Sequence, residues 1–282
     1  MRLFLLTSLT MLAFAANSIL NRAALSSGGI GPEAFGTIRL WSGAIVLMAL
    51  ALIKGRGDAM RGPGRIAGVG GLLLYIYGFS AAYVALDAGL GALILFGTVQ
   101  VTMFAGAIAA GERPGPARWL GAVLAFGGLA WLLWPGDETA PSLWHGGLMA
   151  AAGFGWGAYS LAGRRARDPL ASTAANFVMA APLGLLLGAV MLPGSNMTLS
   201  GGGIVLAVVS GAITSGLGYA LWYSVLPRLP GTVAAVAQLT VPVIAAGGGA
   251  ALLAEAPSPR FLFAALVVLG GVAVSVLPMR RG

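Results

Sequence analysis

Two stretches of this sequence place phenol rings and hydroxyls on single helical faces. Tyr75, Phe79 and Tyr83 stand at i, i+4 and i+8, and Ser215, Tyr219 and Tyr223 repeat that spacing with Trp222 alongside. Rings suit the apolar part of a small amphipathic molecule, and hydroxyls suit its polar part. Aromatics so spaced also serve as core packing or as interfacial belts, and Tyr83 and Tyr223 sit near helix ends, where belts form. Asn17 and Asn21 share one segment, Trp156 and Tyr159 another. A buried amide needs partners, so Asn17 is expected to face inward, toward substrate or a neighbouring backbone. Pro242 denies the carbonyl of Gln238 its helical donor. That leaves a carbonyl and the Gln238 amide to meet an ammonium group, or marks a structural kink. Gln100 is a weaker candidate of the same kind.

Arg39 is the one charge well inside an apolar stretch. It could grip a carboxylate bidentately. We read it as structural, paired with backbone carbonyls or with an amide such as Asn17. Other chemistry is thin. Cysteine is absent and His145 is the single histidine, which removes thiolate sites, most zinc sites and His-based triads. No GxxxxGK loop is present to hold ATP. No cofactor and no metal are expected. No Asp or Glu falls in the middle of an apolar stretch, so proton antiport through a membrane carboxylate is disfavoured.

What must position these residues is a set of membrane helices. Hydrophobic residues make up 58% of 282, charged residues only 9%, and the mean hydropathy is +0.91. A soluble domain has about a quarter charged residues, so a soluble fold is excluded. Turn residues divide the chain into ten spans: Leu3 to Ala23, Phe35 to Ile53, Ile66 to Leu86, Leu90 to Ala110, Ala117 to Leu133, Leu143 to Gly163, Leu170 to Leu192, Gly203 to Leu226, Gly231 to Leu253 and Phe261 to Leu277. They are continuously apolar rather than alternating, which excludes a barrel. The fold class is therefore an all-α membrane protein of ten transmembrane helices. Met1 to Ala15 could pass for a signal peptide, but the apolar stretch runs on past it.

Arginines orient the bundle. With the N-terminus inside, Arg2, Lys54, Arg56, Arg61, Arg65, Arg113, Arg118, Arg164, Arg165, Arg167, Arg228, Arg280 and Arg281 fall on the cytoplasmic side. Arg22 and Arg260 fall outside, with Glu33, Asp87, Asp137, Glu138 and Glu255. That bias accounts for the net charge of +8 without nucleic acid and puts both termini in the cytoplasm.

The chain also repeats itself. Gly111-Glu112-Arg113-Pro114 leads to Gly127-Gly128, and Ala254-Glu255-Ala256-Pro257 leads to Gly270-Gly271, at an offset of 143 (255 − 112). Phe14, Gly78 and Tyr83 match Phe154, Gly218 and Tyr223 at 140 (223 − 83). Residues 1–139 and 140–282 thus read as two five-helix units. Five is odd, so the second unit enters the membrane from the opposite side. Inverted repeats belong to secondary transporters, with the substrate between the halves.

The Gly-Glu-Arg-Pro segment with Trp119-Leu120-Gly121-Ala122 and Gly127-Gly128, its copy at Glu255, and the opening Leu9 to Ser18 resemble the EamA branch of the drug/metabolite transporter superfamily. Within it the chain is similar to the YddG-type amino-acid exporters. The resemblance implies export of small metabolites, amino acids foremost, by alternating access. The expected site is Asn17, Tyr75, Phe79, Tyr83, Trp156, Ser215, Tyr219, Trp222 and Gln238. The expected partners are a small-molecule substrate and membrane lipid, with no nucleic acid. A nucleotide-sugar or sugar-phosphate antiporter would need more basic cavity residues than Arg39 alone. An intramembrane enzyme lacks catalytic groups at depth, and a channel has no use for an inverted repeat. The orientation is checked with a cysteine at Gly194: it should be labelled from outside intact cells, and labelling from the cytoplasmic side alone would reverse the assignment.

Overall fold

The computed structural model of the chain describes residues 1–55, 62, 64–135, 141–163, 166–191, 198–229 and 231–276. Gly194, Arg56, Arg61, Arg164, Arg165, Asp137, Glu138, Arg280 and Arg281 lie outside the described residues. Ten helical rods run through the rest: α1 (Arg2–Ser26), α2 (Pro32–Ile53), α3 (Arg65–Ala82), α4 (Ala88–Ala109), α5 (Pro116–Leu132), α6 (Leu143–Gly163), α7 (Pro169–Met191), α8 (Gly201–Arg228), α9 in two pieces (Gly231–Gln238 and Thr240–Leu253) and α10 (Pro259–Val276). Proline opens α2, α5, α7 and α10, where its missing N–H costs nothing. Eight of the rods are long and apolar enough to cross a membrane; Pro259–Ser275 in α10 is a shorter apolar helix. The exception by hydropathy is α6, whose glycines and His145 dilute its apolar content over 21 residues.

Two rods depart from regular α-helix. Residues Ser210–Leu217 of α8 form a π-helical segment between two α-helical pieces. The π-turn adds backbone per turn and changes which side chains share a face. In α9 the helix is interrupted at Leu239, whose N–H turns back to Val236 at 3.1 Å. Pro242 lacks the N–H that would reach Gln238, so the interruption falls where the missing bond places it.

Burial departs from that of a soluble protein in two ways. Thr10, Asn17, Asn21, Arg39, Ser80, Thr214 and Ser215 are buried, while Ile45, Ile66, Val123, Leu186, Leu252 and Leu266 are more than half exposed. Apolar rims facing outward are stable only against hydrocarbon. The chain is an integral membrane protein.

Small residues bring the rods together. α3 packs on α6, α5 on α10, α2 on α7 and α8, α4 on α6, and α9 on both α4 and α1. A side chain at Gly155 would strike the Gly71 carbonyl and the Tyr75 backbone of α3, while one at Gly153 or Gly157 would strike Thr98 or Thr102 of α4. α6 therefore wedges between α3 and α4 through alternate glycines.

The two ends that repeat in sequence also repeat in backbone conformation. Gly111 ends α4 in the left-handed region at φ 84°, with Glu112 N–H reaching the Ala107 carbonyl at 3.0 Å. Ala254 ends α9 in the same region at φ 57°, the only non-glycine with positive φ among the described residues. A left-handed alanine costs roughly 1 kcal/mol. Ala254→Gly should therefore raise thermal stability by up to about 1 kcal/mol. Detergent-solubilised protein in a thermal-shift assay reads this directly, and a fall in stability would contradict the strain.

Candidate substrate site

Arg39 of α2 is completely buried, and its surroundings define the centre of the bundle. Its Nε donates to Ser215 Oγ at 3.0 Å, and its Nη2 donates to Tyr75 Oη at 2.9 Å and, more weakly, to Tyr219 Oη at 3.5 Å. The guanidinium lies 5.0 Å from the Tyr75 ring centre and 5.2 Å from that of Phe79, within cation–π range. The sequence pointed to backbone carbonyls or Asn17 as its partners, but among the described residues neither pairs with it. The hydroxyls of the two repeated aromatic faces hold it instead.

Asn17 stands one step further in. Its Nδ2 donates to Tyr75 Oη at 3.3 Å, and its Oδ1 faces the hydroxyls of Ser210 at 2.7 Å and Thr214 at 2.9 Å. Asn21, a turn later, donates to Ser210 Oγ and accepts from Ser80 Oγ, both at 3.3 Å. The π segment of α8 makes this possible by presenting Ser210, Thr214 and Ser215 together, the first two to α1 and the third to α2. Gly211, between them, packs so closely on the α2 backbone at Arg39 that any side chain there would collide.

Beside this network lies a cavity of about 20 Å³, lined by Phe14, Asn17, Ser18, Tyr75, Phe79, Leu95, Phe96, Trp156, Thr214 and Tyr219. Trp156 packs 5.0 Å from both Tyr75 and Tyr219, and Phe14 meets Trp156, Tyr219 and Trp222 edge-on at 5.9–6.4 Å. So Asn17, Tyr75, Phe79, Trp156 and Tyr219 come together on one wall. Ser215 and Trp222 stand behind it, the first on Arg39 and the second on Phe14.

Two of the expected site residues lie elsewhere. Gln238 is half-buried, and its Nε2 turns back to the Ala234 carbonyl at 3.4 Å, within its own helix. Tyr83 is fully buried, so it forms no belt; it stands outside the cavity lining, packed on Phe79, and its hydroxyl donates to the Ala88 carbonyl at 3.1 Å. Phe14, Ser18 and Thr214 line the cavity without having been expected there. Phe14 and Ser18 share the face of Asn17 at helical spacing, a signal that was available. Thr214 depends on the π-turn, which leaves no sequence mark.

Bonds close the bundle at both ends. At one end Arg22 of α1 donates to Glu255 Oε1 at 2.6 Å, and to the carbonyls of Tyr83 at 3.2 Å and Val84 at 3.0 Å. Glu255 Oε2 accepts the first N–H of α4, from Ala88, at 2.8 Å. Asp87, the residue before α4, makes no cap with its own side chain and sits 3.5 Å from Arg22. Burial, and then the Glu255 carboxylate beside it, push the Asp87 carboxyl above the ordinary value, with Arg22 opposing. At the other end Arg65 of α3 donates to the Ser172 carbonyl at 2.8 Å and to Asn176 Oδ1 at 2.5 Å on α7. Glu112, the repeat mate of Glu255, has only an exposed pair with Arg118 at 3.2 Å.

Comparison with known proteins follows the same outline. A model of the EamA-like transporter family matches residues 1–134 and 144–277. Uncharacterized protein PA1977 of Pseudomonas aeruginosa is 47% identical over 277 residues, which cover 98% of this chain and 95% of that one. A crystal structure of a protein of unstated activity aligns at TM-score 0.68 with 21% identity over 97% of each chain, a likeness of fold.

The closed end makes a sharp contrast between two acids. Glu255→Gln removes a charge-assisted bond and should destabilise by about 1–3 kcal/mol. Asp87 behaves oppositely. Its raised value means that it adds stability below the ordinary carboxylate value, and that this is lost as pH rises through the folded value. Asp87→Asn should thus leave the melting temperature at pH 7 unchanged or higher and flatten its pH dependence. Thermal-shift curves from pH 4 to 8 test both.

Proposed function

Because the chain belongs to the EamA-like transporter family, we propose that it is a secondary transporter exporting small metabolites, amino acids first, across a bacterial inner membrane by alternating access. The observation that carries this is the mid-bundle cavity. It is walled by α1, α3 and α4 from one half of the chain and by α6 and α8 from the other. A site so placed can be exposed first to one side and then to the other if the halves rock about it.

Several features support an inverted five-helix repeat beneath that motion. The family model matches twice, on 1–134 and 144–277. Exchanging each rod with the one five places later turns α3–α6 packing into α8–α1 and α4–α6 into α9–α1. It leaves α2–α7, α4–α9 and α5–α10 unchanged, and all of these contacts occur. The left-handed helix ends at Gly111 and Ala254 keep the offset of 143 (254 − 111). The arginine bias of the sequence supports cytoplasmic termini.

A cavity of about 20 Å³ has room for a water molecule or two and not for an amino acid. Substrate therefore enters only when the closing bonds at one end part. Glu33, Asp87, Glu112, Asp168 and Glu255, the described carboxylates, all stand at helix ends or connections, which argues for movement down a substrate gradient without proton exchange.

In proteoliposomes loaded with unlabelled amino acids, labelled amino acid should accumulate by counterflow, and collapsing the pH gradient should change its rate by less than twofold. Tyr219→Ala should cut that rate at least tenfold, and Gln238→Ala should leave it near wild type. Absence of counterflow for all twenty amino acids would remove the amino-acid reading. Rates that track the pH gradient would remove the uncoupled mechanism.

A further inference from the structure

Among the described residues, the charge on Arg39 has no counter-charge. Its described neighbours are three neutral hydroxyls and two aromatic faces, and its Nη1 makes no hydrogen bond although it is buried. A buried ion with neutral partners alone is unfavourable, and a group of opposite charge gains most by coming close. Arg39 does not itself line the cavity. It stands behind Tyr75 and Tyr219, which do.

The direction of the hydrogen bonds decides what those hydroxyls offer. Tyr75 Oη accepts from Arg39 Nη2 and from Asn17 Nδ2, which occupies both of its lone-pair positions. Its own O–H is left to donate. Tyr219 Oη also accepts from Arg39, and Tyr75, being already saturated, is no acceptor for its proton. Even where Tyr75 donates to Tyr219, at least one phenol proton of the cavity wall has no acceptor among these groups and is left for a ligand. The oxygen of Asn17, the one amide on the cavity wall, is occupied by Ser210 and Thr214. The wall thus shows donors backed by a cation, and none of the residues lining it is acidic.

We propose that this cavity recognises a single carboxylate, bound through the Tyr75 and Tyr219 hydroxyls with Arg39 as its counter-charge. The substrate class is then monocarboxylates with an apolar body, and an ammonium group on the ligand is tolerated rather than required. A phosphate or a dicarboxylate brings a second charge that no second cation meets. Rings of Phe14, Phe79, Phe96 and Trp156 receive the apolar body. This rests on the reading of the cavity as the substrate site, and it parts from the amino-acid assignment in a testable way. Free amines are excluded, whereas carboxylic acids without an amino group are accepted.

Four compounds sharing one ring separate these outcomes: phenylalanine, phenylacetate, phenylalaninamide and phenethylamine. Binding to the purified full-length protein is measured by calorimetry. The acids should bind, and the amide and the amine should bind at least tenfold more weakly, the scale of a lost charge-assisted hydrogen bond. Arg39→Gln should bring acid and amide to within threefold of each other. Tyr75→Phe, which keeps the ring and the charge, should narrow the gap and covers the case in which Arg39→Gln does not fold. A merely structural Arg39 would weaken all four ligands together and leave their ratio unchanged. Phenylacetate binding without phenylalanine would overturn the amino-acid reading and leave the carboxylate site standing. Binding of the amine or the amide as tight as that of the acid, or of none of the four, would overturn the carboxylate site itself.

Discussion

A guanidinium held in the middle of a lipid-bound helix bundle, with no carboxylate against it, is the constraint around which the centre of this protein is built. Lipid supplies nothing to such a group, so every compensation comes from the chain. Arg39 on α2 draws Ser215 and Tyr219 from α8 and Tyr75 from α3, and Tyr75 in turn holds Asn17 of α1. Four helices from both halves of the sequence are thereby fixed to one charge. The π-turn in α8 follows from this demand. Three hydroxyl residues, Ser210, Thr214 and Ser215, must serve two neighbouring helices from one short segment.

The glycines solve the complementary problem. Lipid tails are as apolar as the helix faces, so hydrophobic burial does little to join helices within the membrane. Close backbone approach, with its dispersion and polar contacts, must replace it. Gly71 with Gly155 brings α3 and α6 together, and Gly121 with Gly271 brings α5 and α10 together, leaving no space for a side chain at either crossing. Such surfaces are smooth as well as close. They let one rod slide along another without unlocking interdigitated side chains, which suits the proposed rocking of the halves.

Much of this was legible in the sequence, and the rest was hidden for identifiable reasons. Hydropathy and turn residues placed the rods to within a few residues, because a helix in lipid has no alternative way to satisfy its backbone. Tyr75 and Phe79, and Ser215 and Tyr219, singled out by their spacing, all stand around Arg39. Arg39 was visible, but its partners were misjudged, since side-chain hydroxyls on distant helices cannot be ranked against nearby carbonyls without the fold. Gln238 was misplaced because a proline-freed carbonyl was assumed to point inward; the break at Leu239 lets its side chain bond its own helix. Tyr83 looked like a belt residue from its nearness to a helix end, yet the chain turns there beneath α4 and buries it.

The matching helix ends of the two halves are held by different bonds. Glu112 and Glu255 occupy matching helix ends, yet Glu255 is paired with Arg22 and caps α4, whereas Glu112 meets only an exposed arginine. Arg22 has Ala162 at the matching position, so the Arg22–Glu255 pair has no counterpart between Ala162 and Glu112. At that end Arg65 donates to Ser172 and Asn176 of α7. In the proposed alternating-access cycle, opening toward one side breaks the Arg22–Glu255 pair, and opening toward the other breaks the bonds of Arg65 to α7. Different bonds close the two ends, so on that reading the two open states differ in free energy. A bound ligand shifts their balance only through contacts that differ between the states. Here those contacts are the central ones, because anything larger than water must spread Asn17, Tyr75 and Tyr219, the side chains that tie α1, α3 and α8 to Arg39. Recognition and opening thus draw on the same hydrogen bonds, and a ligand that replaces them with its own lowers the cost of parting the halves.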